Sequence, residues 1–147
     1  SANSDKVGTF GHGFTYSAHP VPAAVALETL KIYEERDIVG HVRNVMGRFQ
    51  QRLQQCAAHP LVGEIRGVGL IGAVEMVQDK ATKKPYDPAF GAFVGEAAQQ
   101  NGLISRPLGN SIALCPPLII SEAEIDEMFD RLEMALEEGV KKAAAQG

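Results

Sequence analysis

The spacing of apolar residues divides the first third of the chain into two helical stretches. After the prolines near position 20, apolar residues recur every three to four positions, and a second stripe of the same period follows almost at once. Proline is tolerated in the first turn of a helix, where its missing N–H has no partner in any case. The pattern predicts helices over 20–36 and 38–57, or one long helix bent between Asp37 and Gly40.

Further along, strand-like and helical signals alternate. The segment 64–77 alternates apolar with small residues, which is typical of a strand, and a polar loop follows it. Asp87 before Pro88 predicts the start of a third helix. Gly102 lies where that helix would end in a left-handed residue.

Two short strands and a last helix complete the pattern. The stretches LISR and SIALC read as strands, with 107–110 as the turn between them. Ser121 and Glu124 have the spacing of a capping box in front of the final apolar stripe. This order predicts an α+β fold, a small antiparallel sheet with helices packed on one side.

Composition narrows the class of protein. The chain has 147 residues, 45% of them hydrophobic and 22% charged, as in an ordinary globular domain. A net charge of −4 without any basic stripe argues against a nucleic-acid partner. No apolar run approaches the roughly 18 residues that span a bilayer, and no charged-then-apolar leader is seen. We expect no membrane partner and a cytoplasmic location.

Residues 67–72, GVGLIG, have the glycine spacing of a dinucleotide-binding loop but not the secondary structure around it. That motif works where a strand ends and a helix begins, because the pyrophosphate lies on the helix N-terminus. Here the following residues continue as strand. We therefore expect these glycines to let a helix or another backbone approach the sheet closely.

Cysteines and histidines give no catalytic or metal pattern. Cys56 and Cys115 lie far apart without a CxxC spacing, so we expect two buried free thiols and no disulfide. His12 and His19 have no cysteine or carboxylate at ligand spacing, so we expect loop or capping histidines and no metal site.

Two features remain as candidates for chemistry. The stretch GHGFTYSAHP, residues 11–20, has neither the period of a helix nor that of a strand, and is either a loop or a site. Arg106 ends a predicted strand and precedes Pro107. It is either a surface arginine or a guanidinium held by a rigid strand to bind a carboxylate.

These stretches together resemble the class III, fold-type I aminotransferases, which depend on pyridoxal 5'-phosphate (PLP). GHGFTYSAHPVPAAVALETLKIYEERD is similar to the segment that leads into their C-terminal domain. EIRGVGLIGAVEM, GLISRPLGNSIALCPPLIIS and the capped last helix follow in the family's order. The resemblance covers about residues 5–140 and is nearest to the ω-amino acid:pyruvate type.

The resemblance implies roles for three residues in a homodimeric parent enzyme. Thr15 would hydrogen-bond the phosphate of the PLP bound by the other subunit. Phe14 would line the substrate pocket across the same interface. Arg106 would bind the substrate carboxylate, and would swing aside for amines without one.

The family's catalytic lysine, ring-binding aspartate, stacking aromatic residue and phosphate loop match no position here. The resemblance therefore implies a C-terminal small domain over 19–147, preceded by a segment, 1–18, that carries the cofactor loop, with the large catalytic domain absent. We expect no catalytic residue on this chain and no activity from it alone. The parent would transfer an amino group from an amine or ω-amino acid to pyruvate or a similar keto acid.

Two alternatives stay open. One is another class III enzyme, such as an ornithine, 4-aminobutyrate or diamine transaminase, or an aminomutase. The other is a free-standing regulatory module in which Arg106 holds an acidic effector.

Overall fold

A computed structural model describes Lys6, Gly8 and residues 13–145 of the chain. Two compact units follow each other in sequence, Ser1–Asp37 and Ile38–Gly147. The predicted division into a leading segment, 1–18, and a small domain, 19–147, stays a prediction.

From residue 13 onward, the first unit has a turn followed by helix α1, Pro20–Glu35. His19 caps the helix, since its Nδ1 accepts a hydrogen bond from the backbone N–H of Val21 at 3.2 Å. Asp37 has a left-handed φ of 45°, which α-helical backbone does not allow. The first two predicted helices are therefore separate, and His19 is the capping histidine that the sequence predicted.

The second unit is a sheet with a layer of helices. Its helices are α2 (Ile38–Gln55), α3 (Pro88–Gln100) and α4 (Glu122–Ala144), with a 3-10 turn at Cys56–Ala58, and its strands are β1 (Val62–Val68), β2 (Ile71–Asp79), β3 (Lys84–Pro85), β4 (Arg106–Leu108) and β5 (Ser111–Leu114). All strand pairs are antiparallel, in the order β1-β2-β5-β4, and β3 pairs with β2. One face of the sheet and the three helices enclose the core. The predicted α+β fold is confirmed.

The segment predicted as one strand, 64–77, is a hairpin, and that prediction was wrong. Val68 pairs with Ile71, so the chain reverses at Gly69 and Leu70. Gly69 supplies the positive φ of 58° that a tight hairpin turn requires. The alternation of apolar residues runs through both strands, and for that reason the pattern conceals the reversal.

The other two glycines of this hairpin face helix α2. A Cβ on Gly67 would lie 2.5 Å from Cδ2 of Leu53, and one on Gly72 would lie 3.1 Å from the Phe49 ring. Both distances are shorter than ordinary van der Waals contact. The prediction that these glycines admit a helix to the sheet is confirmed.

The predicted helix ends are confirmed as well. Asp87 accepts a hydrogen bond from the N–H of Ala89 at 2.8 Å and so caps α3. Gly102 follows α3 with a φ of 83°. Ser121 and Glu124 form the complete capping box of α4.

The strand that carries Arg106 begins later than predicted, whereas β5 begins at Ser111 as predicted. β4 starts at Arg106 instead of ending there, and Pro107 is part of the strand instead of the turn. Pro107 pairs with Ile112, and β4 is an edge strand, where proline removes no bond to a further strand.

The two thiols are both free, but only one is even partly buried. Cys56 is half-buried, and burial raises the pKa of its thiol to about 11, which keeps it protonated and unreactive at neutral pH. Cys115 is exposed, so the prediction that both thiols are buried was wrong. Within the described residues, no helix combines the length and apolarity needed to cross a membrane.

Candidate functional site

Arg106 begins the edge strand β4 and is exposed. Its backbone pairs with Ala113 on β5. Across the part of the chain that the structure describes, its guanidinium has no hydrogen bond and no ion-pair partner. The backbone of Arg106 is therefore fixed by strand pairing, and its side chain is an unpaired cation at the edge of the sheet.

Arg106 belongs to one row of residues that crosses the sheet. In this row Arg66 pairs with Ala73, Ala73 with Ala113, and Ala113 with Arg106. Directly paired residues point to the same side of a sheet. Two arginines thus stand at the ends of the row, with two small side chains between them, on the face opposite the helices.

The two arginines of the row differ in their surroundings. Nη1 of Arg66 donates to Oε1 of Glu64 at 2.9 Å and to Oε2 of Glu75 at 2.6 Å. Hydrogen bonds to Glu64 and Glu75 raise the pKa of Arg66, so its charge is held and balanced within the sheet. Of the two, Arg106 is the arginine that remains available for an external carboxylate.

A cleft of about 570 Å³ adjoins Arg106. Its lining is chiefly apolar and includes Leu103, Ile104, Leu108, Pro116, Ile120 and Met128. Ser105 also lines the cleft, and its hydroxyl oxygen is buried without a hydrogen-bond partner among the described residues. A cation beside an apolar wall suits a small organic acid with a short hydrocarbon part.

The first unit holds the other two predicted site residues in a turn. The N–H of Phe14 donates to Oγ of Ser17 at 2.7 Å, and the N–H of Ser17 donates back to the Phe14 carbonyl at 2.9 Å. Thr15 is exposed between them, and its hydroxyl has no hydrogen bond among the described residues. Phe14 is 71% exposed.

This turn fits one contact to a phosphate group. The Thr15 hydroxyl is free to donate a hydrogen bond, and a hydrogen bond to an ionised phosphate is stronger than one between neutral groups. Thr15 and Phe14 are neighbours in the first unit, whereas Arg106 belongs to the second. The assigned roles of all three remain predictions. His12 lies outside the described residues.

A second cleft, of about 370 Å³, lies among the helices and contains none of the predicted residues. His59, which lines it, has a side chain only 8% exposed. Its Nδ1 accepts from the N–H of Leu61 at 3.3 Å, and its Nε2 lies 3.4 Å from Oε1 of Glu137 without forming a hydrogen bond. In the sequence, His59 lies just beyond the predicted helix 38–57 and has no predicted role.

No cluster of three histidine, cysteine or acidic side chains able to hold a metal ion occurs within Lys6, Gly8 and 13–145. Sequence reasoning missed the ion pairs of Arg66 and the buried hydroxyl of Ser105. Both depend on strand register and on packing between elements distant in sequence. The features that the sequence did predict, the helix ends, depend on proline, glycine and capping residues close by in the chain.

Comparison with known proteins places these features in a family. A sequence profile of the aminotransferase class-III family matches residues 2–136. A probable gamma-aminobutyrate transaminase of Oryza sativa subsp. japonica is 47% identical over 146 residues, which cover 97% of this chain and 30% of that protein.

Solved structures agree. An omega transaminase from Pseudomonas jessenii in complex with PMP is 43% identical, with a TM-score of 0.84, over 99% of this chain and 33% of that one. A PMP-bound aminotransferase from Vibrio fluvialis is 40% identical, with a TM-score of 0.83, over 97% of this chain and 32% of that one. The chain spans about a third of the length of the relatives that it matches.

Proposed function

The chain belongs to the class III aminotransferase family, and we propose that it forms the C-terminal small domain of a longer, PLP-dependent enzyme. That enzyme transfers an amino group from an amine or ω-amino acid donor to pyruvate or a similar keto acid. The length of the relatives, about three times that of this chain, supports a large domain on the same parent chain.

The unpaired guanidinium of Arg106 carries this proposal. Keto acids present a planar carboxylate, and the arginine fork binds such a group with two parallel hydrogen bonds. Arg66, on the same sheet face, already binds two glutamates and is not free for this role. The apolar cleft beside Arg106 suits the short carbon skeleton of pyruvate.

Thr15 and Phe14 serve a neighbouring subunit in this proposal, which makes the parent a homodimer. The unbonded hydroxyl of Thr15 donates to the phosphate of PLP, and the exposed ring of Phe14 lines the substrate pocket. PLP, when bound, supplies an electron sink for the substrate. The groups that hold the rest of PLP come from the large domain, so this chain alone is inactive.

A second candidate is a transaminase whose donor is 4-aminobutyrate. It is favoured by the similarity to a probable gamma-aminobutyrate transaminase at 47% identity. In that case Arg106 binds the carboxylate of the donor as well as that of the acceptor. The rates with 4-aminobutyrate and with amines that lack a carboxylate separate the two candidates.

The test is Arg106→Ala in the full-length holoenzyme, with kinetics for each substrate measured separately. Losing a hydrogen bond to a charged group costs about 1.5–3 kcal/mol, and Arg106→Ala removes two, so the KM for pyruvate should rise at least about 100-fold. The KM for an amine without a carboxylate should stay within about twofold.

Arg43→Ala is the matched control, because Arg43 is an exposed arginine on α2 and its loss changes the charge equally. Arg106→Lys separates charge from the planar fork and should restore only part of the affinity. An equal rise in KM for pyruvate and for the amine would make Arg106 a structural residue and remove the support for this proposal.

A further inference from the structure

The β4–β5 hairpin, whose first strand carries Arg106, lies directly against helix α3 at two glycines. A Cβ on Gly95 would lie 2.9 Å from Cγ and 3.2 Å from Cδ of Pro107. A Cβ on Gly91, one turn earlier, would lie 1.8 Å from the carbonyl oxygen of Gly109. Neither glycine has a positive φ, so space and not backbone conformation excludes a side chain at both positions.

Pro107 links this contact to the site. Successive side chains of a strand point to opposite faces, so Pro107 faces α3 while Arg106 faces away from the helices. The proline ring is stiff and is joined to the backbone at both ends. It cannot rotate away from an added methyl group as a long side chain could, and any displacement passes to the preceding residue.

The turn of the same hairpin is also fixed by two hydrogen bonds of Asn110. Nδ2 of Asn110 donates to the carbonyl of Tyr86 at 2.7 Å, and the carbonyl of Asn110 accepts from the N–H of Met76 at 2.8 Å. β4 itself is the edge of the sheet. A side chain added to α3 at Gly95 would therefore displace β4, because β4 has a neighbouring strand on one side only. Arg106 would move with β4.

We propose that Gly95 is a positioning residue for Arg106. Because Gly95 has no side chain, Pro107 can lie close to helix α3, and this distance determines where the Arg106 guanidinium lies relative to the substrate carboxylate. Gly91 supports the same approach at the turn. Gly95 touches no substrate, and its effect on selectivity passes through Pro107. This inference rests on the proposed role of Arg106 in binding keto acids.

The experiment uses the full-length holoenzyme with Gly95→Ala. Misplacing a substrate-binding group by about 1 Å can cost on the order of 100-fold, and a shift of a few tenths of an ångström should raise the KM for pyruvate about tenfold. The KM for an amine without a carboxylate should stay within about twofold. Gly47→Ala is the matched control, because a Cβ there has open space around it.

A double variant, Gly95→Ala with Pro107→Ala, distinguishes misplacement of Arg106 from general damage to the fold. Pro107→Ala removes Cγ and Cδ, two of the three nearest atoms, and leaves the 3.2 Å contact with Cβ. Gly95→Ala should therefore have little further effect in a Pro107→Ala background, both on the KM for pyruvate and on the thermal unfolding temperature. If Gly95→Ala alone does not fold, recovery of folding and of pyruvate affinity in the double variant supports the proposal.

Three results would overturn it, and the first two are distinguishable from each other. If Arg106→Ala weakens pyruvate binding while Gly95→Ala does not, the positioning role alone is wrong. If Arg106→Ala has no selective effect, the proposed function fails at its carboxylate site and the positioning role fails with it. Additive losses from Gly95→Ala and Pro107→Ala would also contradict a direct contact.

Discussion

At the scale of single residues, two arginines on one face of the sheet show how neighbouring side chains determine whether an arginine can bind an external carboxylate. Arg66 is bound by Glu64 and Glu75, whereas Arg106 has no partner among the described residues. The sequence distinguishes them poorly, because each is an arginine in a strand-like stretch. The difference arises from register, which pairs Glu64 with Glu75 and places Arg66 next to that pair, within hydrogen-bond reach of both carboxylates.

Thr15→Ala tests the proposed phosphate contact. The variant loses a hydroxyl that would donate to an ionised phosphate, which costs about 1.5–3 kcal/mol. The dissociation constant of PLP from the full-length protein should rise about 10- to 100-fold, measured by equilibrium dialysis. Thr29→Ala is the control, because the Thr29 hydroxyl donates only to the Val25 carbonyl of its own helix. Unchanged PLP retention in Thr15→Ala would refute the role of Thr15.

At the scale of elements, local signals predicted more than long-range ones. The starts of α1, α3 and α4 were predictable because proline and the capping residues act within one turn of the helix. The hairpin at Gly69 was missed because apolar alternation continues on both sides of a two-residue turn. Pro107 read as a turn residue, and only the position of β4 at the sheet edge explains why it fits a strand.

The hairpin glycines give a matched pair of substitutions. Gly67→Ala would place a methyl group 2.5 Å from Leu53 and 3.0 Å from the carbonyl of Ile71, and such overpacking costs about 1–3 kcal/mol. Gly47→Ala, in open space on α2, should stabilise by about 0.5–1 kcal/mol. Thermal unfolding of the full-length protein should shift in opposite directions. A shift in the same direction would show that the α2–hairpin contact is looser than described.

Helices α2 and α4 are joined by an ion pair whose effect depends on pH. Arg48 donates from Nε and Nη2 to the two carboxylate oxygens of Asp126, each at 2.8 Å, and Arg52 donates to Oδ1 at 3.1 Å. Hydrogen bonding from Arg48, with the charges of both arginines, lowers the pKa of Asp126. The folded state therefore binds the Asp126 proton more weakly than the unfolded state does.

The sign of the pH effect follows from that difference. The ion pair stabilises the fold above the unfolded carboxyl pKa of about 4, and this stabilisation is lost as pH falls through the lower pKa of the folded state. Asp126→Asn should lower the unfolding temperature at neutral pH, and the gap to the unsubstituted protein should narrow below about pH 4. A gap independent of pH would show that the carboxylate charge contributes nothing.

At the scale of the whole molecule, the proposed function gives this chain a role in selectivity and leaves the reacting groups to the large domain. Arg106 and Thr15 are suited to bind a carboxylate and a phosphate, and both bind without breaking a bond. The relatives are about three times as long as this chain, which leaves room for the remaining residues that such an enzyme needs. The sequence resemblance implies this division of roles, and it stays a prediction.

The visible absorption spectrum of the full-length protein, purified with PLP, tests the central claim most directly. The band of bound PLP should fade when an amine donor is added and return when pyruvate is added, because the amino group passes to the cofactor and then to the keto acid. A protein that never takes up PLP, or whose band does not change with donor, would contradict the account. In that case Arg106 would hold an acidic effector instead of a substrate.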